Sequence, residues 1–425
     1  MLNTARRMAA TAITRGGVEL VADSVLDALT NGPDSTSTRA RDQIVDYAIN
    51  HVPHYNSLQL GSFEDLPVVS KALMVQNTDR FLSDRFNLGE LREVSTSGST
   101  GVPFTAYWDK GKMRHHQGAL LGTYRFQGVD PFGPRVMTKA WAKQTAKQYA
   151  TTLLKGELPH SGGSIMRPSA RTVGLFIRAS KGAAVVGYSS YIEQLAREYE
   201  EGGWKADPSL IQSVVGTSEP ATEYLKSAVP RIWGVPLLMR YSNVENGIVA
   251  VTNSTDESYA IDTTSFYVEI LELESDRRAE QGQVGRIVVT DLHNRAMPFL
   301  RYDTGDLGML EKAPQSGAFR LTNITGRKLD TIITSVDGVE RRAHALQIWA
   351  PTSKLSELRQ FQLRQHSLHE FTWILNADPS PQLEEKLQAI LEERVGPVKQ
   401  CNFRYVSEVP VLASGKRQFF VSEMK

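Results

Sequence analysis

The sequence of 425 residues has few of the features that would tie it to an oxidising compartment, a metal cluster or a membrane. Its one cysteine, Cys401, cannot form a disulfide within the chain, and we expect it to be a packing residue. No group of cysteines and histidines has the spacing of a zinc site. No apolar run approaches the roughly 18 residues that span a bilayer, and the N-terminus lacks the apolar stretch of a signal peptide. We therefore expect a soluble, cytoplasmic protein without a membrane partner.

A large excess of charge of one sign is also missing. Lysine and arginine number 48, aspartate and glutamate number 47, and the net charge is +1. This balance excludes binding driven mainly by a large excess of positive charge, so we expect no nucleic-acid partner. Hydrophobic residues at 41% and charged residues at 22% are typical of a globular chain. The length exceeds what one ordinary core holds, so more than one domain is predicted.

Apolar patterns between residues 60 and 325 alternate between strand-like runs and helical periods. We expect strands at 135–139, 172–178, 210–215, 235–239, 266–273, 285–291 and 319–324. We expect helices at 190–200 and 221–229, the first with Ile192, Leu195 and Tyr199 on one face. Alternating strands and helices followed by strand-rich sequence predict a large α/β domain with additional sheet.

The C-terminal part of the chain has a pattern of its own. Runs at 358–365 and 370–376 predict a hairpin, and Ser380 followed by Pro381 is a typical N-cap and first residue of a helix. That helix would place four apolar residues on one face: Leu383, Leu387, Ile390 and Leu391. We expect three units, namely an N-terminal helical segment at 1–60, an α/β domain at 61–326 and a small α+β domain at 327–425.

A run of small hydroxyl residues and glycines is the first segment suited to a ligand. It contains Ser97, Gly98, Ser99, Thr100 and Gly101. Such residues let several backbone N–H groups point into one concavity, which suits a polyphosphate. A run of this kind is, by itself, more often an ordinary flexible loop. It is not a Walker A loop, because no Gly-Lys-Ser/Thr follows.

Two further segments follow predicted strands. The first contains Gly216, Ser218, Glu219 and Pro220, and ligands bind at the carboxyl ends of strands in an α/β sheet. The second contains Tyr241 and Glu245. A tyrosine ring can stack on a purine, and Mg²⁺ favours carboxylate ligands. Each segment alone also fits an ordinary turn, a core tyrosine or a solvated glutamate.

Three later residues are candidates of the same kind. Asp306 ends the run Tyr302-Asp303-Thr304-Gly305-Asp306, where a carboxylate on a turn can accept both hydroxyls of a ribose. Arg327 follows Gly326 at the predicted domain boundary, and Lys416 follows Gly415 near the C-terminus. Taken singly, a turn aspartate and a solvated lysine are equally ordinary explanations.

The order of these segments is more specific than any one of them. A hydroxyl and glycine loop, Gly-x-x-Glu-Pro, Tyr-x-x-x-Glu, Tyr-x-Thr-Gly-Asp, Gly-Arg-x-x-Asp and a late Gly-Lys follow one another within residues 60–425. This series resembles the motifs of adenylate-forming enzymes. Ala296-Met297-Pro298 before Arg301-Tyr302, together with the run 266–270, resembles in particular the phenylacetate–CoA ligase branch and its CapK-like relatives.

The resemblance implies a fold, an activity and partners. The fold would be α/β, with a large multi-lobed N-terminal adenylate-forming domain and a small mobile α+β C-terminal cap. The enzyme would activate a carboxylic acid, aryl or another small acid, with ATP and Mg²⁺ as an acyl-adenylate, releasing pyrophosphate. It would then transfer the acyl group to CoA, with an amine or a carrier-protein thiol as the alternative acceptor. Outside enzymes, the alternative is a catalytically weakened nucleotide-binding paralogue.

The resemblance also implies roles for individual residues. The ATP phosphates would bind to Ser97, Gly98, Ser99, Thr100 and Gly101. The adenine would lie against Gly216, Ser218, Glu219, Pro220 and Tyr241. Glu245 would hold Mg²⁺, Asp306 would bind the ribose, and Arg327 would approach the phosphate or the ribose. Lys416 would bridge the carboxylate of the acid and the α-phosphate.

Some positions depart from the family pattern. Val244 stands where a threonine is usual, Leu329 where a hinge aspartate or lysine is usual, and the Arg-Gly of the CoA tunnel is replaced near Ser335-Val336, with Gly338 displaced. The last two bear on cap rotation and thiol access, so adenylation is better supported than transfer to CoA. Several residues are candidates either for the acid pocket or for core packing: His115, His116, Tyr107, Trp108, Phe126 and Trp141.

Overall fold

The computed structural model describes ten stretches of the chain. They are residues 17–32, 36–95, 104–139, 145–160, 168–253, 258–313, 317–325, 331–336, 338–410 and 419–424. Several predicted site residues therefore lie outside the described part: the phosphate-loop residues 97–101, Arg327, Leu329, Lys416 and Trp141.

The described helices are, in chain order, α1 (Val18–Asn31), α2 (Thr36–His51), α3 (Lys71–Gln76), α4 (Lys110–Phe126), α5 (Ala146–Leu154), α6 (Ala170–Ala179), α7 (Ser189–Glu201), α8 (Glu223–Trp233), α9 (Leu346–Thr352) and α10 (Pro381–Val395). None of them is long and apolar enough to cross a membrane.

The described strands of the N-terminal three quarters are β1 (Val69–Ser70), β2 (Arg92–Ser95), β3 (Thr105–Trp108), β4 (Arg135–Thr138), β5 (Glu157–His160), β6 (Ala183–Tyr188), β7 (Ile211–Thr217), β8 (Leu237–Asn243), β9 (Gly247–Val251), β10 (Tyr259–Ile261), β11 (Phe266–Leu271), β12 (Gly285–Asp291), β13 (Tyr302–Lys312) and β14 (Phe319–Thr325). Those that follow are β15 (Thr331–Val336), β16 (Val339–His344), β17 (Gln360–Gln365), β18 (Glu370–Asn376), β19 (Gln400–Tyr405) and β20 (Phe420–Ser422).

Within these stretches, twelve strands form one mixed sheet in the order β11-β12-β13-β14-β10-β9-β8-β7-β6-β4-β5, with β1 paired to β13. Neighbours from β5 to β8 are parallel, and neighbours from β8 to β11 are antiparallel. Strand β8 therefore lies where the sheet changes type. The predicted α/β class is confirmed, and the carboxyl ends of β7 and β8 lie at one edge of the parallel half.

Amphipathic helices cover the parallel half of the sheet. Ile192, Leu195 and Tyr199 of α7 are buried in one apolar core together with Val214 of β7 and Leu225 of α8. Their spacing of three and four residues puts them on one face of the helix, as the sequence predicted.

The strand expected at 172–178 is wrong, because these residues lie in α6. Ser169 caps the helix, its Oγ accepting a hydrogen bond from the Thr172 N–H at 3.3 Å. Val173 and Ile177, one turn apart, are buried, whereas a strand would have buried alternate residues. A short apolar run fits a strand and a helix equally well, and here the cap and the four-residue spacing decide.

Helix α1 packs closely on α4. A Cβ on Gly118 would lie 2.5 Å from Val21 Cβ, and a Cβ on Gly122 would lie 2.5 Å from the Ala22 carbonyl oxygen. Two glycines one turn apart thus let the two helices approach closely. Helix α2 buries Ile44 and other residues in the core beneath the antiparallel half of the sheet. The boundary at residue 60 stays a prediction.

The C-terminal part builds a separate four-stranded sheet in the order β19-β18-β17-β20. The predicted hairpin is confirmed as the antiparallel pair of β17 and β18. Ser380 caps α10, whose Leu383, Leu387 and Leu391 are buried against this sheet. The buried members of that core all fall between residues 332 and 420. We retain 327 as the proposed start of this unit.

We predict that Gly187→Ala strongly destabilises the fold. Gly187 in β6 has a φ of +150°, and a Cβ there would lie 1.8 Å from the Thr138 carbonyl oxygen of β4. Because backbone atoms cannot move aside cheaply, we expect the free energy of unfolding to fall by about 3 kcal/mol or more. Gly89→Ala is the control, since a Cβ on Gly89 meets nothing within 4 Å. Equal thermal unfolding temperatures for the two variants would contradict the prediction.

Candidate functional site

Hydrogen bonds fix the segment 216–220 where it leaves β7. Ser218 has a φ of +67°, in the left-handed region. The Glu219 carboxylate accepts a hydrogen bond from the Ser190 N–H at 2.9 Å, and its carbonyl accepts one from Ser189 Oγ at 3.0 Å. Because a helix N-terminus attracts negative charge, Glu219 holds the segment against the start of α7.

The same segment lies next to Tyr241. Strands β7 and β8 pair in a register that puts Gly216 beside Met239 and Thr217 beside Arg240. A Cβ on Gly216 would lie 2.8 Å from Met239 Sδ, so only glycine fits without a shift of that side chain. Two segments separate in sequence therefore meet at the carboxyl ends of neighbouring strands.

Tyr241 and Asp306, predicted to contact the adenine and the ribose, contact each other. The Tyr241 hydroxyl donates a hydrogen bond to Asp306 Oδ2 at 2.8 Å and lies 3.1 Å from Thr304 Oγ1. Burial, and then the negative charge of Asp306, raises the pKa of Tyr241 well above its ordinary value. The phenol therefore stays protonated and orients the Asp306 carboxylate.

Glu245 is only 5% exposed, and both its side chain and its backbone carbonyl accept hydrogen bonds. The Tyr302 hydroxyl donates to Glu245 Oε1 at 2.7 Å, and Lys71 Nζ lies 3.7 Å from the same oxygen. Trp108 Nε1 donates to the Glu245 carbonyl at 2.8 Å. Across the described residues, no group of three or more histidines, cysteines and acidic residues could hold a metal ion. A single carboxylate does fit Mg²⁺ that takes its other ligands from phosphate and water.

The hairpin of β2 and β3, which flanks the predicted phosphate loop, contacts Glu245. Strand β2 pairs antiparallel with β3, so the chain between them returns on itself. Trp108, at the end of β3, makes the hydrogen bond to the Glu245 backbone. Phe104, which directly precedes β3, is buried, and its ring centroid lies 5.3 Å from Lys71 Nζ. Residues 97–101 themselves fall outside the described stretches.

Asp109 fastens this hairpin to the loop after β12. Its Oδ1 caps α4 by accepting hydrogen bonds from the N–H groups of Gly111 (2.6 Å) and Lys112 (3.0 Å). Its Oδ2 accepts from the N–H groups of Arg295 (2.8 Å) and Ala296 (3.3 Å). One carboxylate thus fixes the phosphate-loop hairpin relative to the segment that leads into β13.

Comparisons with known proteins identify the fold. No protein-family model matches the chain. CapK of Staphylococcus aureus is 21% identical over 387 residues, which cover 87% of this chain and 82% of CapK. The phenylacetate-coenzyme A ligase of Thermus thermophilus is 26% identical over 321 residues, covering 68% of this chain and 69% of that protein. 2-Hydroxyisobutyryl-CoA ligase, in the postadenylation state, matches with a TM-score of 0.70 at 17% identity, over 92% of this chain and 89% of its own. The chain has the adenylate-forming ligase fold.

A second structural match carries a different activity in its name. McbA, an amide bond synthetase from Marinactinospora thermotolerans, matches with a TM-score of 0.53 at 16% identity, over 78% of this chain and 68% of its own. The resemblance to CapK and the phenylacetate–CoA ligases, first indicated by the motif order, is confirmed.

In this ligase fold, the structure brings together three of the predicted groups. Tyr241 contacts Asp306, the segment 216–220 lies beside Tyr241, and the Glu245 backbone accepts a hydrogen bond from Trp108 of the β2–β3 hairpin, which flanks the predicted phosphate loop. Arg327 and Lys416 lie outside the described stretches, so their roles stay predictions.

Two residues of this region were not predicted. Tyr302 stands inside the Tyr-x-Thr-Gly-Asp motif, and its position two residues before Thr304 was a usable signal. Lys71 follows an unremarkable Val-Val-Ser sequence, and no local pattern indicates a site there. Its proximity to Glu245 depends on the pairing of β1 with β13.

Val244, where the family pattern has a threonine, lies in the turn between β8 and β9 and is 45% exposed. Valine has no hydroxyl, so this position offers no side-chain hydrogen bond to a ligand. Of the aromatic candidates, Trp108 is buried, and Tyr107 and Phe126 pack on apolar cores.

The two histidines named from the sequence lie in the interior. His115 stacks on His293 with ring centroids 3.4 Å apart, and its Nε2 lies 2.8 Å from Ser265 Oγ. Burial, followed by the neighbouring His293 and Lys112, lowers the pKa of His115 to about 2. Burial, and then Lys112, lowers the pKa of His116 to about 4. Both therefore remain neutral at physiological pH, and a role for either in the acid pocket stays a prediction.

We predict that these histidines make the fold sensitive to acid. An unfolded histidine takes up a proton near pH 6.5, whereas folded His115 does not, so stability is complete above that pH and falls as the pH decreases below it. We expect His115→Gln to flatten the decline between pH 6.5 and 4 by about 1.4 kcal/mol per pH unit. The measurement is the unfolding free energy across that range, with His369→Gln as control. Parallel profiles for His115→Gln and the unmodified protein would refute the prediction.

Proposed function

We propose that the protein is an ATP-dependent ligase that activates a small carboxylic acid as an acyl-adenylate and then transfers the acyl group to CoA. The supporting observation is a pair of hydrogen bonds that link β8 and the turn after it to β13. They link Tyr241 to Asp306 and Tyr302 to Glu245. The Asp306 carboxylate, suited to ribose, and the Glu245 carboxylate, suited to metal-bound phosphate, are thereby held in fixed positions relative to each other.

The predicted site residues divide the nucleotide among them. The segment 216–220 and Tyr241 border the adenine, and Asp306 accepts hydrogen bonds from the ribose hydroxyls. From its sequence, the loop 97–101 would supply backbone and hydroxyl donors to the β- and γ-phosphates. Arg327 approaches the phosphate or ribose from the start of the C-terminal unit, as the motif order implies.

The chemistry requires two anions to meet. A carboxylate oxygen of the acid forms a bond to the α-phosphorus of ATP, and the bond from that phosphorus to pyrophosphate breaks. Lys416 bridges the carboxylate and the α-phosphate and offsets their repulsion, which is where one fixed positive charge lowers a barrier most. The sulfur of CoA then attacks the acyl carbon, its proton is lost, and AMP leaves.

Glu245 is the residue that would hold Mg²⁺. When bound, the ion neutralises phosphate charge and orients the pyrophosphate leaving group. The protein's own part is to keep the carboxylate buried and oriented, through the Tyr302 hydroxyl and the bond from Trp108 to the Glu245 backbone.

An amide ligase is the second candidate function. The match to an amide bond synthetase favours it, as does the replacement of the Arg-Gly of the CoA tunnel near Ser335-Val336. These residues pair with β16 in the β15–β16 hairpin, and Gly338 turns that hairpin with a φ of +77°. A carrier-protein thiol is the remaining acceptor of this kind.

We predict acid-dependent exchange of labelled pyrophosphate into ATP. We expect Lys416→Ala to lower the exchange rate by about 100-fold or more, because a charge near the transition state is lost. We expect Asp306→Asn to lower it by about tenfold, because a charge-assisted hydrogen bond to ribose is weakened. Exposed Lys399→Ala and Asp79→Asn serve as controls and should exchange normally.

The exchange assay is run with a panel of aryl, fatty and amino acids, so it also identifies the substrate. If no acid supports exchange although calorimetry shows ATP binding, the weakened nucleotide-binding paralogue is the correct interpretation. If the protein neither exchanges pyrophosphate nor binds ATP, the ligase proposal fails entirely.

We predict that CoA, rather than an amine, consumes the acyl-adenylate. With an acid that supports exchange, we expect CoA to form a thioester with one AMP released per turnover, at least about tenfold faster than amide forms from a panel of amines. Mass spectrometry of the products makes the measurement. Amide formation with CoA left unconsumed would assign the protein to the second candidate function.

A further inference from the structure

Lys71 is held rigidly at the edge of the candidate site. It is the first residue of α3, whose N-cap Ser70 accepts a hydrogen bond from the Leu73 N–H at 3.2 Å through its Oγ. The two residues before Lys71 form β1, which pairs in parallel with Tyr302 and Asp303 of β13. The backbone of Lys71 is therefore fixed by the strand that also carries Asp306.

The ammonium group lies between solvent and the buried carboxylate. Lys71 Nζ is 3.7 Å from Glu245 Oε1, and the two side chains are 33% and 7% exposed, respectively. The distance exceeds that of a direct hydrogen bond, so the pair interacts mainly through charge. The Tyr302 hydroxyl already donates to the same oxygen at 2.7 Å.

Lys71 also lies near Phe104, the residue just before β3. Its Nζ lies 5.3 Å from the ring centroid of Phe104, which follows the loop residues 97–101 closely in sequence. An ammonium group carries three donors on a flexible stem, so it can engage a second anion while it stays near Glu245. In the proposed reaction, the carboxylate of the acid is an anion of this kind.

We infer that Lys71 is a further catalytic residue, whose ammonium group binds the carboxylate of the acid and presents it to the α-phosphate. The inference rests on the proposed ligase function. The part of Lys71 is to contribute charge and position, without transferring a proton. Lys71 directly follows β1 of the large sheet, whereas Lys416 comes from the C-terminal segment.

A purely structural role predicts something different. If Lys71 only neutralises Glu245, its removal should lower stability and leave the concentration dependence on the acid unchanged. If Lys71 binds the acid, its removal should raise the KM for the acid much more than the KM for ATP. The two KM values therefore separate the two roles.

The test compares Lys71→Met, Lys71→Gln and Lys71→Arg in the exchange reaction. Met retains the apolar stem without charge, Gln retains a donor, and Arg retains the charge. We expect Met and Gln to raise the KM for the acid at least about tenfold, with the KM for ATP changed less than about threefold. We expect Arg to restore the KM for the acid to within about threefold of the unmodified enzyme.

Lys312→Met is the matched control, because Lys312 at the other end of β13 also lies over a phenylalanine ring, with Nζ 5.5 Å from the Phe319 centroid. An unchanged KM for the acid in folded Lys71→Met overturns the inference and leaves the ligase function standing. Failure of both Met and Gln variants to fold also overturns it, since Lys71 is then structural. Absence of exchange in the unmodified protein overturns the inference and the proposed function together.

Discussion

A buried hydrogen bond from the Tyr302 hydroxyl to the Glu245 carboxylate joins two parts of the chain that lie 57 residues apart. It connects the turn after β8, where the parallel half of the sheet ends, to the start of β13 in the antiparallel half. Breaking it would leave a carboxylate in the interior without its donor, which is costly. The bond from Tyr241 to Asp306 makes a second connection between the same two strands. Together the two bonds fix Glu245 and Asp306 in the candidate site relative to each other.

The candidate site combines opposite charges at short range. The carboxylates of Glu245 and Asp306 each accept a hydrogen bond from a tyrosine hydroxyl. The ammonium group of Lys71 lies near the Glu245 carboxylate. Such an arrangement leaves donors and acceptors oriented before a ligand arrives, which is the condition for electrostatic catalysis. Buried His115 and Lys112 make other contacts in the interior. They serve the fold, since Lys112 forms an ion pair with Asp291 at 2.6 Å and His115 stacks on His293.

Much of the fold could be predicted from local patterns. The face of α7 with Ile192, Leu195 and Tyr199 and the hairpin of β17 and β18 were predictable because hydrophobic periodicity is a local signal. The error at 172–178 has the same origin, because a short apolar run carries two periodicities at once. Ser169, which caps that helix, was the signal that decided between them.

The amino-acid sequence by itself determined the order of the motifs, and with it the identity of the candidate nucleotide-binding residues, because each motif is a short local choice of side chains. Only the tertiary structure decided which of them touch. Three features depend on the register of β8 and β1 with distant strands. They are the hydrogen bond from Tyr241 to Asp306, the burial of Glu245 and the position of Lys71 near Glu245. Pairing between strands far apart in the chain is set by the packing of whole layers, and no local pattern records it.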